Sequence, residues 1–467
     1  MLLFNTLTKR IDDFIPNKPG RATMYSCGPT VYDHIHIGNL RAFISADILR
    51  RCLISEGLEV KQVMNFTDVD DKTIDRSQRS YPEDAPETAL KTMTLKYEQI
   101  FLEDMKAIGN DTDAMQFVKA TESIPDIQKL IRKLYKSKFA YIADDGVYFS
   151  IKKYRDSGKK YGQLLELNQD NTNESRINND EYDKESVHDF VLWKLQKNSE
   201  PAWEFELDGH KLMGRPGWHI ECSAMSAANL GQPFDIHTGG IDLIFPHHEN
   251  EIAQSTAATN MLYANFFVHN EHLLVHGRKM SKSLNNVFTL IDIQEKKIDP
   301  MAFRILSMQA HYRSTLNFSW DNLEAAANRL KTFCAMADLQ WQANAISSDQ
   351  PPYKVIGETL KEHAQNDMNT PEILADISKL AKILETGGVS LVGLIDFKEL
   401  LKTIDSLLGL TLCKQPDISD FQKKIISDRQ EARNQKNWLT TDNIRKELIA
   451  QGINIRDTVN GQIWNRM

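Results

Sequence analysis

RATMYSCGPTVYDHIHIGNLRAFISADILRRCLISEGLEVKQVMNF, residues 21–66, is the stretch on which the fold turns. Residues 21–27, RATMYSC, read as a short strand running into a Gly-Pro turn. Residues 38–56 follow with helical spacing: Leu40, Phe43, Ile44, Ile48 and Leu49 share one face, and Gly57 stops the run. VKQVMNF, residues 60–66, is a second apolar strand. Strand, turn, helix, strand is a βαβ unit, and a crossover of this kind returns the chain in the same direction, so the sheet is expected to be parallel. Ligands bind in the crevice at the carboxyl ends of parallel strands, and the turn after the first strand lies there. That turn carries three metal-capable side chains, Cys27, His34 and His36. It also carries Gly28, Pro29 and Gly38, residue types that let a backbone approach a phosphate. The stretch reads as a metal site, a nucleotide site, or both.

Outward from this unit, 467 residues exceed one core and predict about two to four domains. The composition, 41% hydrophobic and 26% charged, is that of a soluble globular chain. No apolar run reaches the ~18 residues of a membrane span, and the opening MLLFNTLTKR turns polar too early for a secretory signal. Cys27, Cys52, Cys222, Cys334 and Cys413 are scattered and form no CxxC. An odd, dispersed set argues against a disulfide framework and for a reducing cytoplasm. The net charge of −8 neither points to nucleic acid nor excludes it, because a local basic surface suffices for phosphate contacts.

Helices are expected over 82–108 and 122–138, a hairpin in YIADDGVYFSI (141–151) and a polar loop over 167–188. Apolar strands return at FDIHTGG (234–240) and FFVHNEHLLVHG (266–277), so one sheet is split by an insertion. After residue 310 the patterns are helical, as in EAAANRLKTFCAMADLQ (324–340) and PEILADISKLAKILE (371–385). The last segment reads as one helix over 421–450 followed by a hairpin in GINIRDTVNGQIW, with VNGQ as the turn.

Two short motifs carry phosphate chemistry. His36-Ile37-Gly38-Asn39 opens a helix, whose unpaired N–H groups and partial positive charge favour an anion. Lys279-Met280-Ser281-Lys282-Ser283 follows an apolar strand and offers two ammonium groups and two hydroxyls to a polyphosphate. Each alone has a bland reading, as a capped helix start and a solvated loop. Together, each after a strand, they are an improbable coincidence.

HIGN with KMSKS resembles the two signatures of class I aminoacyl-tRNA synthetases. CGPTVYD, NFTDVDDKTI, FVLWK, GRPGWHIECSAM, FDIHTGGIDLIFPHHENEIAQ and KMSKSLNN are similar to the cysteinyl-tRNA synthetase family, in the right order along nearly the whole chain. Asn39 stands where the class signature often has histidine; the family admits asparagine, which still offers an amide donor. The resemblance implies an α/β fold: a Rossmann-like parallel-sheet catalytic domain with an insertion, then a helical bundle and a small C-terminal α+β module. The expected divisions are 1–120 and 216–310 for the two catalytic halves, 121–215 for the inserted segment, 311–410 for a tRNA-binding bundle and 411–467 for an anticodon-binding module.

The resemblance also implies cysteine activation with ATP and Mg²⁺, followed by transfer to tRNA(Cys). His36, Gly38, Asn39, Lys279, Ser281 and Lys282 would hold ATP, with His36, Asn39, Lys279 and Lys282 acting in catalysis. Trp218 resembles a substrate-pocket tryptophan, and Thr67 and Asp242 are candidates for the amino-acid backbone groups. Cys222, His247 and Glu251 form a C-x24-H-x3-E set in which His247 and Glu251 share a helix face. Family resemblance adds Cys27 and assigns the four to one zinc ion, for which two thiolates, an imidazole and a carboxylate are suited donors. Such a metal would favour the substrate's thiolate over serine's hydroxyl, which shape alone separates by only ~10²-fold. Because four protein ligands fill a tetrahedral site, either the coordination expands or Glu251 loosens. His248 is expected to point away from its neighbour His247, as a residue that faces the sheet or supports a ligand, His34 is assigned no role, and His219 and His237 stay unassigned. DVDDK (68–72) is read as an acidic helix start. Lys423, Lys424, Arg429, Arg433 and Lys436, with Trp438 for stacking, are the candidate anticodon-reading set. A monomer is expected. Two rivals stay open: a cysteine ligase on the same scaffold with an amino-sugar acceptor, and a non-catalytic RNA-binding relative. The C-terminal module speaks against the first and intact HIGN and KMSKS motifs against the second.

Overall fold

The computed structural model describes residues 1–165, 176–177, 188–197, 200–280, 286–343, 350–458 and 461–467. The chain divides into two compact units: residues 1–292 with 312–316, and residues 293–311 with 317–467.

The first unit is built on a five-stranded sheet in the order Ala264–Asn270, Phe234–Gly240, Arg21–Ser26, Glu59–Phe66, Met115–Lys119. Every neighbouring pair is parallel. Ala22, Met24, Tyr25, Val63, Met64 and Phe66 are all buried, the near-continuous apolar pattern of strands covered on both faces. The helix Ile37–Ser55 makes the crossover between the Arg21–Ser26 and Glu59–Phe66 strands. Phe101, on the helix Pro86–Ala107, packs edge-on against Phe43 and Phe66 with ring centroids 5.3 and 5.5 Å apart. In chain order the strands run outward from Arg21–Ser26 in one direction and then restart beside it in the other. The sheet therefore has its switch point between Arg21–Ser26 and Phe234–Gly240, the position at which doubly wound sheets open a crevice. Cys27 and Gly239–Gly240 stand at those strand ends.

The acidic run 68–72 starts a helix: Asp70 caps Asp71–Ser80, accepting from Thr73 N–H at 2.7 Å, while Thr73 answers with its hydroxyl. The single helix expected over 82–108 is thus preceded by another of its own. The expected hairpin forms from Ala140–Ala143 and Gly146–Phe149 and joins Asp189–Leu195 and Gly214–Pro216 in an antiparallel sheet. This insertion is not a separate body. Its core residues Ile127, Ile131, Phe149 and Trp193 pack in one cluster with Ile220, Ala224 and Ala253 from the helices that flank the parallel sheet. The polar loop expected over 167–188 lies outside the described residues except at 176–177 and 188.

The second unit contains the helices Trp320–Asp338, Tyr353–Gln365, Thr370–Gly387, Leu394–Leu408, Asp420–Asn434 and Trp438–Ala450, followed by the hairpin Ile453–Thr458 and Gly461–Arg466. Residues 293–311 belong to this unit, and residues 411–467 lie in one compact body with the helices before them. Gln342 shows why: its amide accepts from Trp464 N–H at 2.7 Å and donates to Trp464 O at 2.8 Å, binding the hairpin to the end of the first long helix. The helix expected over 421–450 is also two helices. Lys436 turns left-handed at φ 57, and the Asn437 side chain caps the next helix by accepting from Thr440 N–H. Asparagine competes for backbone donors in this way and so ends one helix while starting another. Among the described residues no helix is long and apolar enough to cross a membrane.

Candidate active site

A cavity of about 300 Å³ opens at the switch point, lined by residues that include Cys27, Gly28, His36, Gly38, Asn39, Trp218, Gly239, Asp242, Lys279 and Met280. Sequence-distant pieces meet here. His36 caps the crossover helix, its ring Nδ1 accepting from Asn39 N–H at 3.3 Å. Phe288 O accepts from Ile37 N–H at 2.8 Å, and His36 bridges to Thr289, so the chain beyond KMSKS returns to HIGN. Met280 covers Gly38: a Cβ there would stand 2.5 Å from the Met280 methyl and 3.0 Å from His36 Nδ1. Gly38 therefore places no side chain between the helix start and Met280. Ser281 and Lys282 lie outside the described residues; Lys279 is exposed at the mouth.

At the inner end, Cys27, Cys222, His247 and Glu251 bring their donor atoms within 4.8 Å of one another, all buried. Glu251 has both oxygens engaged, Oε1 at 2.9 Å from His247 Nε2 and Oε2 at 2.5 Å from His237 Nε2. Burial alone would raise its pKa, but the two imidazoles overcome this and hold it well below the usual carboxylate range. His247 responds in the opposite sense. Burial opposes its charge, yet Glu251 and Cys222 push it up to about 10. Burial likewise disfavours the Cys222 thiolate, but hydrogen bonds from Cys27 and His247 bring its pKa down to about 6. Burial, Cys222 and Glu251 push Cys27 well up. Each of these groups thus sets the protonation of the others, and a cation bound among them would displace protons. Two sulfurs, one ring nitrogen and one carboxylate oxygen are a donor set that fits Zn²⁺.

Residues 244–248 are not a regular helix, since Phe245 is extended (φ −133, ψ 132). His248 faces the sheet and supports a candidate ligand, as expected: its Nε2 is 3.4 Å from Cys27 Sγ and its Nδ1 2.8 Å from His269 Nε2. With His237 it forms a second donor set, Cys27, His237, His248 and Glu251, that shares two members with the first. His219 Nδ1 meets His247 Nδ1 at 2.8 Å. Spacing along the chain does not place His219 and His237, whose partners His247 and Glu251 come from another element.

Trp218 stacks on His247 with centroids 4.3 Å apart and forms one wall of the cavity. Asp242 lines the mouth and is exposed. Thr67 does not reach the cavity: it is buried and donates to Glu221 at 3.1 Å. His34 stands aside, edge-on to Tyr97 at 5.7 Å. In the second unit, the basic set splits. Arg429 is buried and forks onto Asp457 at 2.8 and 3.0 Å, Arg433 also pairs with Asp457, and Lys423 pairs with Asp417 at 2.5 Å. These three bind the module to itself, since arginine's planar fork closes best on a carboxylate. Lys424, Lys436 and Trp438 remain exposed.

Comparison with known proteins agrees with this geometry. Residues 13–328 match the family model described as tRNA synthetases class I (C) catalytic domain, and residues 415–464 match the cysteinyl-tRNA ligase anticodon binding domain. The cysteine–tRNA ligase of Leptospira interrogans is 39% identical, with 99% of this chain and 98% of that protein covered. That of Brachyspira hyodysenteriae is 38% identical, covering 100% and 99%. The fold is also that of Mycobacterium tuberculosis methionyl-tRNA synthetase solved with methionyl-adenylate, at a TM-score of 0.56 and 14% identity, over 90% of this chain and 96% of that one.

Proposed function

Because this chain belongs to the cysteinyl-tRNA ligase family of class I aminoacyl-tRNA synthetases, we propose that it activates L-cysteine with ATP and transfers it to tRNA(Cys), selecting the substrate by its sulfur. The observation that carries this reading is one cavity with a buried sulfur–imidazole–carboxylate cluster at its inner end and a helix start at its mouth.

Cys27, Cys222, His247 and Glu251 would hold one zinc ion, which when bound favours a thiolate over a hydroxyl as its next ligand. Trp218 packs on His247 and closes the side of the pocket, excluding water from the substrate side chain. The carboxylate of cysteine then points toward the mouth. Its oxygen attacks the α-phosphorus of ATP; the new bond is carboxyl oxygen to phosphorus, and the bond to the β-phosphate oxygen breaks to release pyrophosphate. His36, Gly38 and Asn39 give the nucleotide ring nitrogen, open backbone and amide donors at a positive helix end. Lys279, and by sequence Lys282 with Ser281, neutralise the departing pyrophosphate, with Mg²⁺ accompanying ATP. Positioning and charge compensation supply the acceleration. In the second step a terminal ribose hydroxyl of tRNA, the 2′-OH by class resemblance, attacks the acyl carbon and AMP leaves. The match of residues 415–464 to an anticodon-binding domain favours tRNA over an amino-sugar acceptor. A cytoplasmic monomer is the form this reading takes over from the family.

The test is isotope exchange of pyrophosphate into ATP, with cysteine and with serine, before and after metal removal, alongside charging of tRNA(Cys). Exchange with cysteine alone, lost on chelation and regained with Zn²⁺, is expected. Equal exchange with serine would overturn selection through sulfur, and exchange without charging would overturn the tRNA acceptor.

A further inference from the structure

The two donor sets share Cys27 and Glu251 but differ in sulfur: Cys222 and His247 complete a two-sulfur set, His237 and His248 a one-sulfur set. We propose that Asn65 is a positioning residue that selects the two-sulfur set. The proposal rests on the metal-dependent reading above.

Asn65 lies near the carboxyl end of the Glu59–Phe66 strand and is 1% exposed. Its Oδ1 accepts from Gly28 N–H at 2.9 Å and lies 3.6 Å from Cys222 Sγ. Its Nδ2 donates to Thr67 Oγ1 at 3.2 Å, and that hydroxyl donates onward to Glu221 Oε2 at 3.1 Å. The amide can face only one way, since a backbone N–H needs the oxygen. Backbone contact reinforces the side chain: a Cβ on Gly28 would collide with the Asn65 carbonyl oxygen. Gly28 follows Cys27, and Glu221 precedes Cys222 on the helix Trp218–Leu230. One buried amide therefore ties the peptide beside the first sulfur to the helical turn that carries the second.

The two histidines peculiar to the one-sulfur set owe nothing to this amide. His237 Nδ1 stands 3.2 Å from Tyr25 O, and His248 Nδ1 meets His269, which in turn meets Thr6 Oγ1 at 2.8 Å. Each ring is thus oriented from its far side, leaving Nε2 inward. Losing Asn65 frees the Cys222 arm and the peptide beside the shared Cys27, while both histidines of the competing set keep their own supports.

Cobalt(II) separates the two, because its thiolate-to-metal charge-transfer absorption scales with the number of sulfur ligands. Full-length wild-type protein loaded with Co²⁺ should show two-sulfur intensity per bound ion. Asn65→Ala should show about half that intensity, with the KM for cysteine raised about tenfold and that for ATP unchanged. Asn65→Asp, which keeps an acceptor for Gly28, should fall between. Thr67→Val preserves shape while cutting the link to Glu221, and it carries the same readout if Asn65→Ala does not fold. Two-sulfur intensity in both Asn65→Ala and Thr67→Val would overturn the proposal, as would one-sulfur intensity in the wild type. A wild type with no sulfur-to-cobalt absorption would instead overturn the metal-dependent reading.

Discussion

The two ends of the cavity are built in opposite ways. At the inner end, Cys27, Cys222, His237, His247, His248 and Glu251 are all buried, each held by a neighbour's side chain. At the mouth, His36 is half-buried while Asn39 and Lys279 are exposed, and Gly38 brings no side chain of its own. Recognising one atom, sulfur against oxygen, demands donors fixed in a dry environment, where the cost of a wrong ligand is not softened by water. Holding a polyphosphate that must enter and leave demands donors in reach of solvent.

That contrast can be broken from either side. The largest effect is expected from Cys222→Ser at the buried end: bound metal per chain should be lost and cysteine-dependent exchange should fall on the order of 10³-fold, because an alcohol is a poor ligand and is hard to deprotonate. Metal analysis with exchange kinetics reads both, and full metal retention would break the assignment. At the mouth, Gly38→Ala should leave metal content unchanged while raising the KM for ATP about tenfold. The new Cβ would meet the movable Met280 methyl at 2.5 Å and the His36 ring at 3.0 Å, so the cap shifts although the fold survives. A loss of metal in that variant would show the two ends to be one unit.

The smallest effect concerns Asp104, which borders a hollow with His34 and Tyr97 behind the turn. Burial, with Glu103 adding to it, raises its pKa from 3.8 to about 6. The folded chain binds this proton more tightly than the unfolded chain does, so stability falls as pH rises between those values. Asp104→Asn cannot ionise. Its thermal midpoint should be higher than wild type at pH 7 and should not show this decline between pH 4 and 6. Identical pH profiles for both proteins would remove Asp104 from the account.

Much of this was legible one residue at a time. The βαβ unit, the helix start at His36 and the acidic start at Asp70 follow from periodicity and capping, which are local. Hydrophobic spacing alone did not reveal that the insertion shares a core with the helices of the sheet, because Ile220 and Trp193 read the same whether their partners are near or far. Charge pattern misled at Arg429 and Arg433: a basic helix face looks like a ligand surface until Asp457, on the following hairpin, closes on it.

The parallel-sheet unit, the HIGN and KMSKS motifs and the identities of the metal-capable side chains can be read along the chain, since each rests on a few neighbouring residues. How those side chains combine depends on the folded sheet. His248 met His269 across it, the switch point brought Cys27 beside Cys222 and Glu251, and Asn65 reached across to Gly28. Such meetings depend on where strand ends lie in a folded sheet, and no spacing along the chain encodes that distance.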